Sequence, residues 1–479
     1  MNFSSYNRLN NLTGWLVFAV AAFTYLSTME PTVSLWDCGE FVSASYKQQV
    51  VHPPGAPFFL LLNRIFTIPA DLLGDKTLVP VLVNASSALC SAFTILFLVW
   101  SITALASKLV FRNETDISRG DLIAVLASGI IGGLCYTFSD TFWFSAVEGE
   151  VYAMSSFFTA LVFWMALKWE RRANTPYHLK WIILIFYMIG IVVGVHLLGL
   201  LVIPVLVLMY YFKKSPTVTW KGGLIAFVIG MAVLFAVQYG VIQYMPIFAS
   251  KMELLFVNGF GMPYWSGVIF FYIVALAAAA YGIYYSHKQH KVILNTALIC
   301  LVSVIIGYSS YAMIVIRSYS NPPIDMNDPE DVFSLISYLT REQYGDNYLV
   351  SGPYFSAVLA DPPAYQTEEN GTIWRKENGG YVEAGTKKKY VVNNPKYKTV
   401  FPRMFNFQEQ YFDGYRHWGN IRDDNNISFV NNNLRFFFRY QVVHMYWRYF
   451  AWNFIGRQND KQGMFGEFHQ GNWITGISG

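Results

Sequence analysis

Five ionisable side chains in two short segments of the sequence could share one chemical task. The first segment contains Asp37 and Glu40, three residues apart, and then His52. The second contains Glu148 and Glu150. In such a group, one carboxylate can take a proton from a hydroxyl while its neighbours orient it or hold charge. The residue types therefore indicate an acid–base site, provided that the fold brings the two segments together.

Each of these side chains also has an ordinary structural explanation. Asp37 and Glu40 have the spacing of an N-cap aspartate and a capping-box glutamate. Glu148 or Glu150 could cap the helix that follows, because a negative charge is favoured near a helix N-terminus. His52 precedes two prolines, which exclude it from a helix interior and make its segment a rigid turn. The sequence alone leaves both explanations open.

The composition places these residues in a membrane protein. Hydrophobic residues make up 54% of the 479-residue chain and charged residues 13%, whereas soluble proteins contain roughly 25% charged residues. A net charge of +4 without Lys/Arg-rich blocks argues against nucleic-acid binding. Three of the four cysteines lie in apolar runs and Cys38 stands alone, so neither a disulfide framework nor a cysteine metal site is predicted.

Nine apolar runs are long enough, or nearly so, to cross a bilayer as helices. They lie at 13–30, 78–107, 121–139, 150–168, 181–195, 197–212, 222–248, 266–286 and 292–316. We interpret the first run as a retained helix and not a signal peptide, since many spans follow it. The predicted fold is mainly α, with about nine transmembrane helices in residues 1–316. Residues 317–479 are predicted to form a mixed soluble domain, with a helix near 331–344 and a strand near 389–392.

The basic residues between the runs predict the orientation. Before residue 317, all the lysines and arginines except Lys47, Arg64, Lys76 and Lys251 fall at the N-terminus or in alternate loops. Positively charged loops stay in the cytoplasm. The N-terminus is therefore predicted to be cytoplasmic, with the first outer loop (31–77) and residues 317–479 on the periplasmic side of a bacterial inner membrane, or in a lumen. The aromatic run 435–457 is predicted to lie at the interface, because its arginines make a tenth span costly.

Arg317 and Arg64 are candidates for binding a phosphate near the outer interface. A guanidinium offers two parallel hydrogen bonds to a phosphate. The alternative is that both side chains only snorkel to the headgroups. No spacing requires a metal, although the carboxylates are compatible with a divalent cation. The chain has no Walker loop, GxSxG or HExxH motif, so the energy for any reaction must arrive with the substrate.

The motifs resemble those of a known enzyme family. Asp37 in a first outer loop, the sequence His52-Pro-Pro-Gly55, and the segment Glu148-Gly-Glu150-Val-Tyr152 resemble the DUF2723-type membrane family, which is linked to protein O-mannosylation. They are similar, more distantly, to protein O-mannosyltransferases and lipid A aminoarabinose transferases of the C-type glycosyltransferase superfamily.

The resemblance implies roles for the residues of the two segments. Asp37 would be the catalytic acid or base, with Glu40 beside it as the second carboxylate. His52, Glu148 and Glu150 would support the site. The donor would be a polyprenyl-phosphate sugar whose tail lies among the spans, and the acceptor a Ser or Thr of an exported protein. Members of the family usually continue into further membrane helices, so this chain is expected to be a short form or a fragment.

Two other functional classes fit parts of the sequence. A transporter or flippase of lipid-linked material would also need many spans and broken helices, such as the break near His196. A membrane scaffold could use the Tyr, Trp and Arg side chains of residues 317–479 to bind a partner. Covalent change of an acceptor would distinguish the enzyme from both.

Overall fold

The apolar runs form helices, as expected for a backbone that must satisfy its own hydrogen bonds in lipid. In the computed structural model, which describes residues 3–112, 116–345, 347–459, 461, 466–467 and 469–474, eight helical segments are long and apolar enough to cross a membrane. They are Phe3–Thr28, Leu78–Val110, Arg119–Thr137, Val151–Arg172, Leu197–Lys214, Trp220–Gly259, Ser266–Lys288 and Val292–Ser318. A ninth apolar helix, Leu179–Val193, has 15 residues. The predicted fold class, a mainly helical polytopic membrane protein, is confirmed.

The chain divides into two compact units, Met1–Gln343 and Tyr344–Gly479. The α-helices of the first unit are α1 (Phe3–Thr28), α2 (Cys38–Lys47), α3 (Pro57–Phe66), α4 (Ile68–Leu73), α5 (Leu78–Val110), α6 (Arg119–Thr137), α7 (Asp140–Ala146), α8 (Val151–Arg172), α9 (Leu179–Val193), α10 (Ile203–Lys214), α11 (Trp220–Phe235), α12 (Met245–Leu254), α13 (Ser266–Lys288), α14 (Val292–Tyr308), α15 (Ala312–Ser318) and α16 (Val332–Leu339). A π-helical stretch, Ala236–Tyr244, joins α11 to α12.

Small residues allow the spans of the first unit to pack closely. Gly190 in α9 faces Gly307 in α14, and a Cβ atom at Gly190 would lie 2.3 Å from the carbonyl oxygen of Val304. Such small-residue contacts are typical of helix pairs in membranes, where backbones approach each other directly. The contact holds α9 and α14 together at the centre of the bundle.

Residues 317–343 belong to the first unit, although the sequence-based boundary was placed at 316. Val50 pairs with Asp325 in a short parallel bridge. The Tyr338 hydroxyl, in α16, donates a hydrogen bond to the carbonyl oxygen of Val51. These contacts fasten the chain after the last span to the segment that carries His52.

The second unit contains two small antiparallel pairs of strands and several helices. The strands are β1 (Ser351–Pro353), β2 (Gln366–Glu377), β3 (Gly380–Val391) and β4 (Lys398–Val400), and the α-helices are α17 (Phe412–Gly419) and α18 (Arg448–Phe454). Strand β1 pairs with β4, and β2 with β3. A core of Phe355, Met404, Phe412 and Phe436 packs this unit. The mixed character predicted for this part of the chain is confirmed.

Candidate active site

Asp37 stands at the start of α2 but does not cap it. It occupies the N-cap position, yet its carboxylate accepts no hydrogen bond from the helix backbone. Its side chain is 54% exposed. An N-cap aspartate normally satisfies one of the free N–H groups of the first turn. The capping explanation therefore does not account for this carboxylate, which is left open to solvent or to a ligand.

Glu40 and His52 form a tightly bonded pair next to Asp37. The backbone N–H of His52 donates to Oε1 of Glu40 at 2.8 Å, and Nδ1 of His52 lies 2.7 Å from Oε2 of the same carboxylate. The other ring nitrogen, Nε2, lies 3.9 Å from Oδ2 of Asp37. The hydrogen bond to Glu40, opposed by burial and supported by the charges of Glu40 and Asp37, raises the pKa of His52 above its ordinary value. One imidazole therefore bridges two carboxylates.

The loop around His52 is built to hold that ring in place. The N–H of Gly55 donates to the carbonyl oxygen of His52 at 2.9 Å. Gly55 has φ +78°, and a Cβ atom there would lie 2.5 Å from the Tyr338 hydroxyl. Only glycine combines this backbone conformation with such a close neighbour. The loop is thus fixed between its own turn and α16.

Glu148 and Glu150 lie against the first segment. Both side chains are buried, with 5% and 6% of their surface exposed. The thiol of Cys38, which begins α2, donates to Oε2 of Glu148 at 3.5 Å. The loop between α7 and α8 is held to the start of the first segment, since the N–H of Glu30 donates to the carbonyl oxygen of Val147 at 2.9 Å.

Glu150 caps α8 and also carries an unusual charge state. Its carboxylate accepts the N–H of Val151 at 2.8 Å, so the capping explanation holds for this residue. Burial raises the pKa of Glu150 to about 7, and the negative charges of Asp37 and Glu148 add to the shift. Burial also raises the pKa of Glu148. Glu150 therefore titrates near neutral pH, and the protonated form of Glu148 is favoured relative to an exposed glutamate.

Three further side chains that sequence reasoning did not assign to the site lie beside this cluster. The rings of Tyr152, in the first turn of α8, and His196, in the break between α9 and the next helical turn, are 5.2 Å apart between centroids. The positive charge of Arg341, just after α16, acts on both rings, and Asp37 and Glu150 act on Tyr152. Arg341 has φ +59°, a backbone conformation that is uncommon outside glycine. A positively charged side chain thus lies near both rings.

The two arginines predicted to bind phosphate contact protein groups instead. Arg64 donates to Asp71 at 2.6 Å and to Thr67 at 3.1 Å. Arg317 donates to the carbonyl oxygens of Gln48 at 2.5 Å and Lys47 at 3.2 Å, at the C-terminal end of α2. Either arginine would have to exchange or share these partners to bind a phosphate.

Asp37, Glu40 and His52 also form the arrangement of a small cation site. One ligand atom from each lies within 4.8 Å of the other two. Two carboxylates and one imidazole suit Mn²⁺, Zn²⁺ or Fe²⁺ better than Ca²⁺, which takes oxygen ligands only. If Nδ1 of His52 were a ligand, the cation would replace its hydrogen bond to Glu40. The three side chains thus fit a transition metal. Without a metal, His52 and Glu40 form the hydrogen bond described above.

These features define an integral membrane protein that has a carboxylate–histidine cluster at one end of its helices, with the side chain of Arg341 nearby. The family described as the protein O-mannosyl-transferase TMEM260 N-terminal domain matches residues 37–219. A family of unknown function, DUF8416, matches residues 345–438. The first match contains the whole carboxylate–histidine cluster, from Asp37 to Glu150, together with Tyr152 and His196. It supports the resemblance to a protein O-mannosyltransferase-like family.

Individual relatives agree with the first family match. The chain is 26% identical over 156 residues to protein O-mannosyl-transferase tmem260 of Dictyostelium discoideum, a match that covers 33% of this chain and 17% of that protein. It is 28% identical over 154 residues to protein O-mannosyl-transferase TMEM260 of Mus musculus, covering 32% of this chain and 19% of that protein. The matched region thus spans less than a fifth of either relative. No solved structure matches this chain.

Proposed function

We propose that this chain is a membrane glycosyltransferase that moves a sugar from a polyprenyl-phosphate carrier to the hydroxyl group of a Ser or Thr in an exported protein. The names of the relatives suggest mannose as the sugar. The observation that carries the proposal is the cluster of Asp37, Glu40 and His52, which lies within the segment that is similar to those proteins. The C-type fold and the lipid donor follow from the family resemblance of the motifs.

In the proposed reaction, Asp37 acts as the general base. The acceptor hydroxyl attacks the anomeric carbon and gives its proton to the exposed carboxylate of Asp37. The new carbon–oxygen bond forms as the bond to the carrier phosphate breaks, and the phosphate leaves with the electron pair. His52, fixed by Glu40, directs its Nε2 towards Asp37. A protonated imidazole there keeps Asp37 ionised between turnovers.

Arg341 is the preferred partner for the donor phosphate. The departing phosphate gains negative charge, which a guanidinium stabilises through two parallel hydrogen bonds. The charge of Arg341 acts on Tyr152 and His196, beside the carboxylates. Arg64 and Arg317, the candidates from the sequence, lie at Asp71 and at the C-terminal end of α2. We keep them as secondary contacts for the carrier.

The orientation follows from charge. In α8, Glu150 lies at the N-terminal end, whereas Arg171 and Arg172 lie in the last turn. Lys213 and Lys214 end α10. The positive-inside rule then puts these basic ends and the N-terminus in the cytoplasm, and the carboxylate cluster on the outer face. In a bacterium this would be the periplasmic side of the inner membrane, and residues 317–479 would lie there too.

The test is transfer of radiolabelled mannose from a polyprenyl-phosphate donor to exported proteins, in membranes that contain the wild-type chain or its Asp37→Asn variant. Loss of the base should lower the transfer rate by about 10²- to 10⁴-fold. Asp75→Asn is the matched control, because Asp75 lies in the same loop, is exposed, and has a carboxylate that bonds only to Thr77 among the described residues. It should keep full activity. Equal transfer by wild type and Asp37→Asn would contradict the assignment.

A transporter of lipid-linked material is the second candidate. It is favoured by the short helix α9 and the break that follows it at His196, since broken helices line the substrate sites of many transporters. Movement of a labelled lipid-linked sugar across proteoliposomes, without any labelled acceptor product, would support this candidate over the transferase.

A further inference from the structure

An apolar cavity lies far from the carboxylate cluster, between the spans at the end of α8 opposite to Glu150. It has a volume of about 540 Å³ and is lined by α8, α9, α10, α14 and the π-helical stretch after α11. Along α8, Trp169 in its lining is 18 residues from Val151, or about 27 Å at 1.5 Å per residue. The cavity is therefore separate from the proposed site of sugar transfer.

This cavity has an apolar lining, and its volume is in the range of known ligand sites. Apart from Thr296, its described lining residues are hydrophobic. Ligand cavities commonly measure roughly 300–1,000 Å³. The lining includes Val237 and Val241 of the π-helical stretch, a backbone form that is rare and often occurs at functional sites. An apolar chain is the kind of group that this cavity can hold.

A pocket that contains two lysines adjoins the cavity at Leu179, which lines both. This open pocket, of about 800 Å³, is lined mainly by the loop between α8 and α9 and includes Lys180, His178 and Lys214. Lys214 donates to the carbonyl oxygen of Ala173 at 2.6 Å, which holds its charge at the pocket. Among the described residues that line either cavity, none is acidic. The pocket is thus suited to an anion.

The lining of each cavity includes a residue, Trp169 in the apolar cavity and His178 in the pocket, with a buried polar atom that no described residue bonds. The indole N–H of Trp169 is buried, with 3% of the residue exposed, and has no hydrogen-bond partner among the described residues. Nδ1 of His178 is in the same condition. Buried polar groups in proteins nearly always have a partner. An ester carbonyl oxygen of a bound phospholipid would supply one for the indole.

We propose that these two cavities together bind one anionic phospholipid of the bilayer, with an acyl chain in the apolar cavity and the phosphate beside Lys180 and Lys214. Basic pockets between spans, on the side where Lys and Arg collect, are the usual sites for anionic headgroups. The site is distinct from that of the sugar donor and does not depend on the proposed transferase activity. Its role would be to hold α8, α9, α10 and α14 together.

The test is native mass spectrometry of the full-length, delipidated protein titrated with dioleoylphosphatidylglycerol or with dioleoylphosphatidylcholine. Each lysine near an anionic headgroup is worth roughly fivefold in affinity, so the glycerol lipid should bind about 25-fold more tightly. Equal binding of the two lipids by the wild-type protein would overturn the proposal, whatever the variants do.

Three variants locate the site. Lys180→Gln combined with Lys214→Gln should remove the preference for the anionic lipid. Lys213→Gln, on the same helix end but outside both linings, should keep it. Ala297→Trp, which places a large ring in the apolar cavity, should weaken both lipids. An equal loss in Lys213→Gln, or no effect of Ala297→Trp, would overturn the proposed position.

A competition experiment identifies the class of lipid. Undecaprenyl phosphate also combines an apolar chain with a phosphate. We expect an equal concentration of it to leave dioleoylphosphatidylglycerol bound, because the buried indole N–H of Trp169 can donate to an ester carbonyl oxygen, which a polyprenyl phosphate lacks. Displacement of the phospholipid would instead assign the cavity to the carrier and overturn the proposal.

Discussion

At the residue scale, the site is organised around one imidazole. His52 is bonded to Glu40 through both its backbone and its ring, and its second ring nitrogen faces Asp37. This leaves Asp37 exposed and uncapped, while Glu148 and Glu150 are buried and shifted towards protonation. Chemically similar carboxylates are therefore placed in different environments, and proteins use such differences to give one carboxyl group the role of an acid and another the role of a base.

The raised pKa of Glu150 predicts a pH dependence of stability. The ordinary pKa of 4.5 becomes about 7 in the fold, so the native state binds more protons than the unfolded state between these values. Stability from this group is therefore present at low pH and is lost as the pH rises through about 7. The raised pKa of His52 acts in the same direction. The temperature at the midpoint of thermal unfolding, measured in detergent, should therefore decrease as the pH is raised from 5 to 7.5.

Glu150→Gln isolates the contribution of that carboxyl group to the pH dependence. The amide keeps an oxygen that can accept the N–H of Val151, so the cap of α8 is preserved. The variant should show a flatter decrease in unfolding temperature over this pH range, whereas Asp75→Asn should follow the wild type. A variant as steep as the wild type would mean that Glu150 is ionised in the folded protein throughout.

At the scale of elements, hydropathy located the helices, but their partners depend on contacts that hydropathy does not describe. The nine apolar runs all became helices, because length and apolar content decide whether a segment can span lipid. The hairpin of β2 and β3 also had a readable signal. Asn378-Gly379, both at positive φ, forms the two-residue turn typical of hairpins.

Some positions in the site had no sequence signal. Arg341 is far along the chain from Tyr152 and His196, and it reaches them because α16 is fastened beside His52 by Tyr338. The convergence of the two acidic segments could be predicted from their shared side of the membrane. The exposure of Asp37 and the capping by Glu150 could not, since both side chains have the same spacing relative to a helix start.

The crossing of α9 and α14 gives a prediction about packing. A Cβ atom at Gly307 would lie 2.6 Å from the backbone of Gly190. Gly307→Val should therefore force the helices apart and lower the free energy of unfolding by about 1–3 kcal/mol, the usual cost of overpacking. Gly223→Ala is the control, because no atom lies within 4 Å of the Cβ position there. Unfolding temperatures in detergent would compare them, and equal values would show that the helices can separate without cost.

At the scale of the whole molecule, the first unit carries two features at opposite ends of its helices. The carboxylate cluster and Arg341 lie at the N-terminal end of α8, and the proposed phospholipid site lies near its C-terminal end. The second unit matches a family without a known function, so it gives no information about the chemistry. The two proposed sites of this chain therefore lie at opposite ends of one helical bundle.

The proposed role of Arg341 in binding the donor phosphate can be tested by measuring the KM for the donor and the KM for the acceptor separately. Arg341→Gln removes the charge that acts on Tyr152 and His196. Losing one charge-assisted contact to a phosphate costs about 1.5–3 kcal/mol, or roughly 10- to 150-fold. We expect the KM for the polyprenyl-phosphate donor to rise by that factor, while the KM for the acceptor stays unchanged. Arg341→Lys should recover part of the loss, because it keeps the charge but not the two-pronged contact.

The same measurement ranks the three arginines. Arg64→Gln breaks the contact with Asp71, and Arg317→Gln removes the hydrogen bonds to the end of α2. Both variants should therefore lower the unfolding temperature and change the KM for the donor only slightly. Arg341→Gln should raise the KM for the donor more than either of them does. If the KM for the donor instead rises most in Arg317→Gln or Arg64→Gln, with Arg341→Gln unchanged, the phosphate binds where the sequence first placed it, and the protein contacts seen for those arginines must exchange for the lipid carrier during turnover.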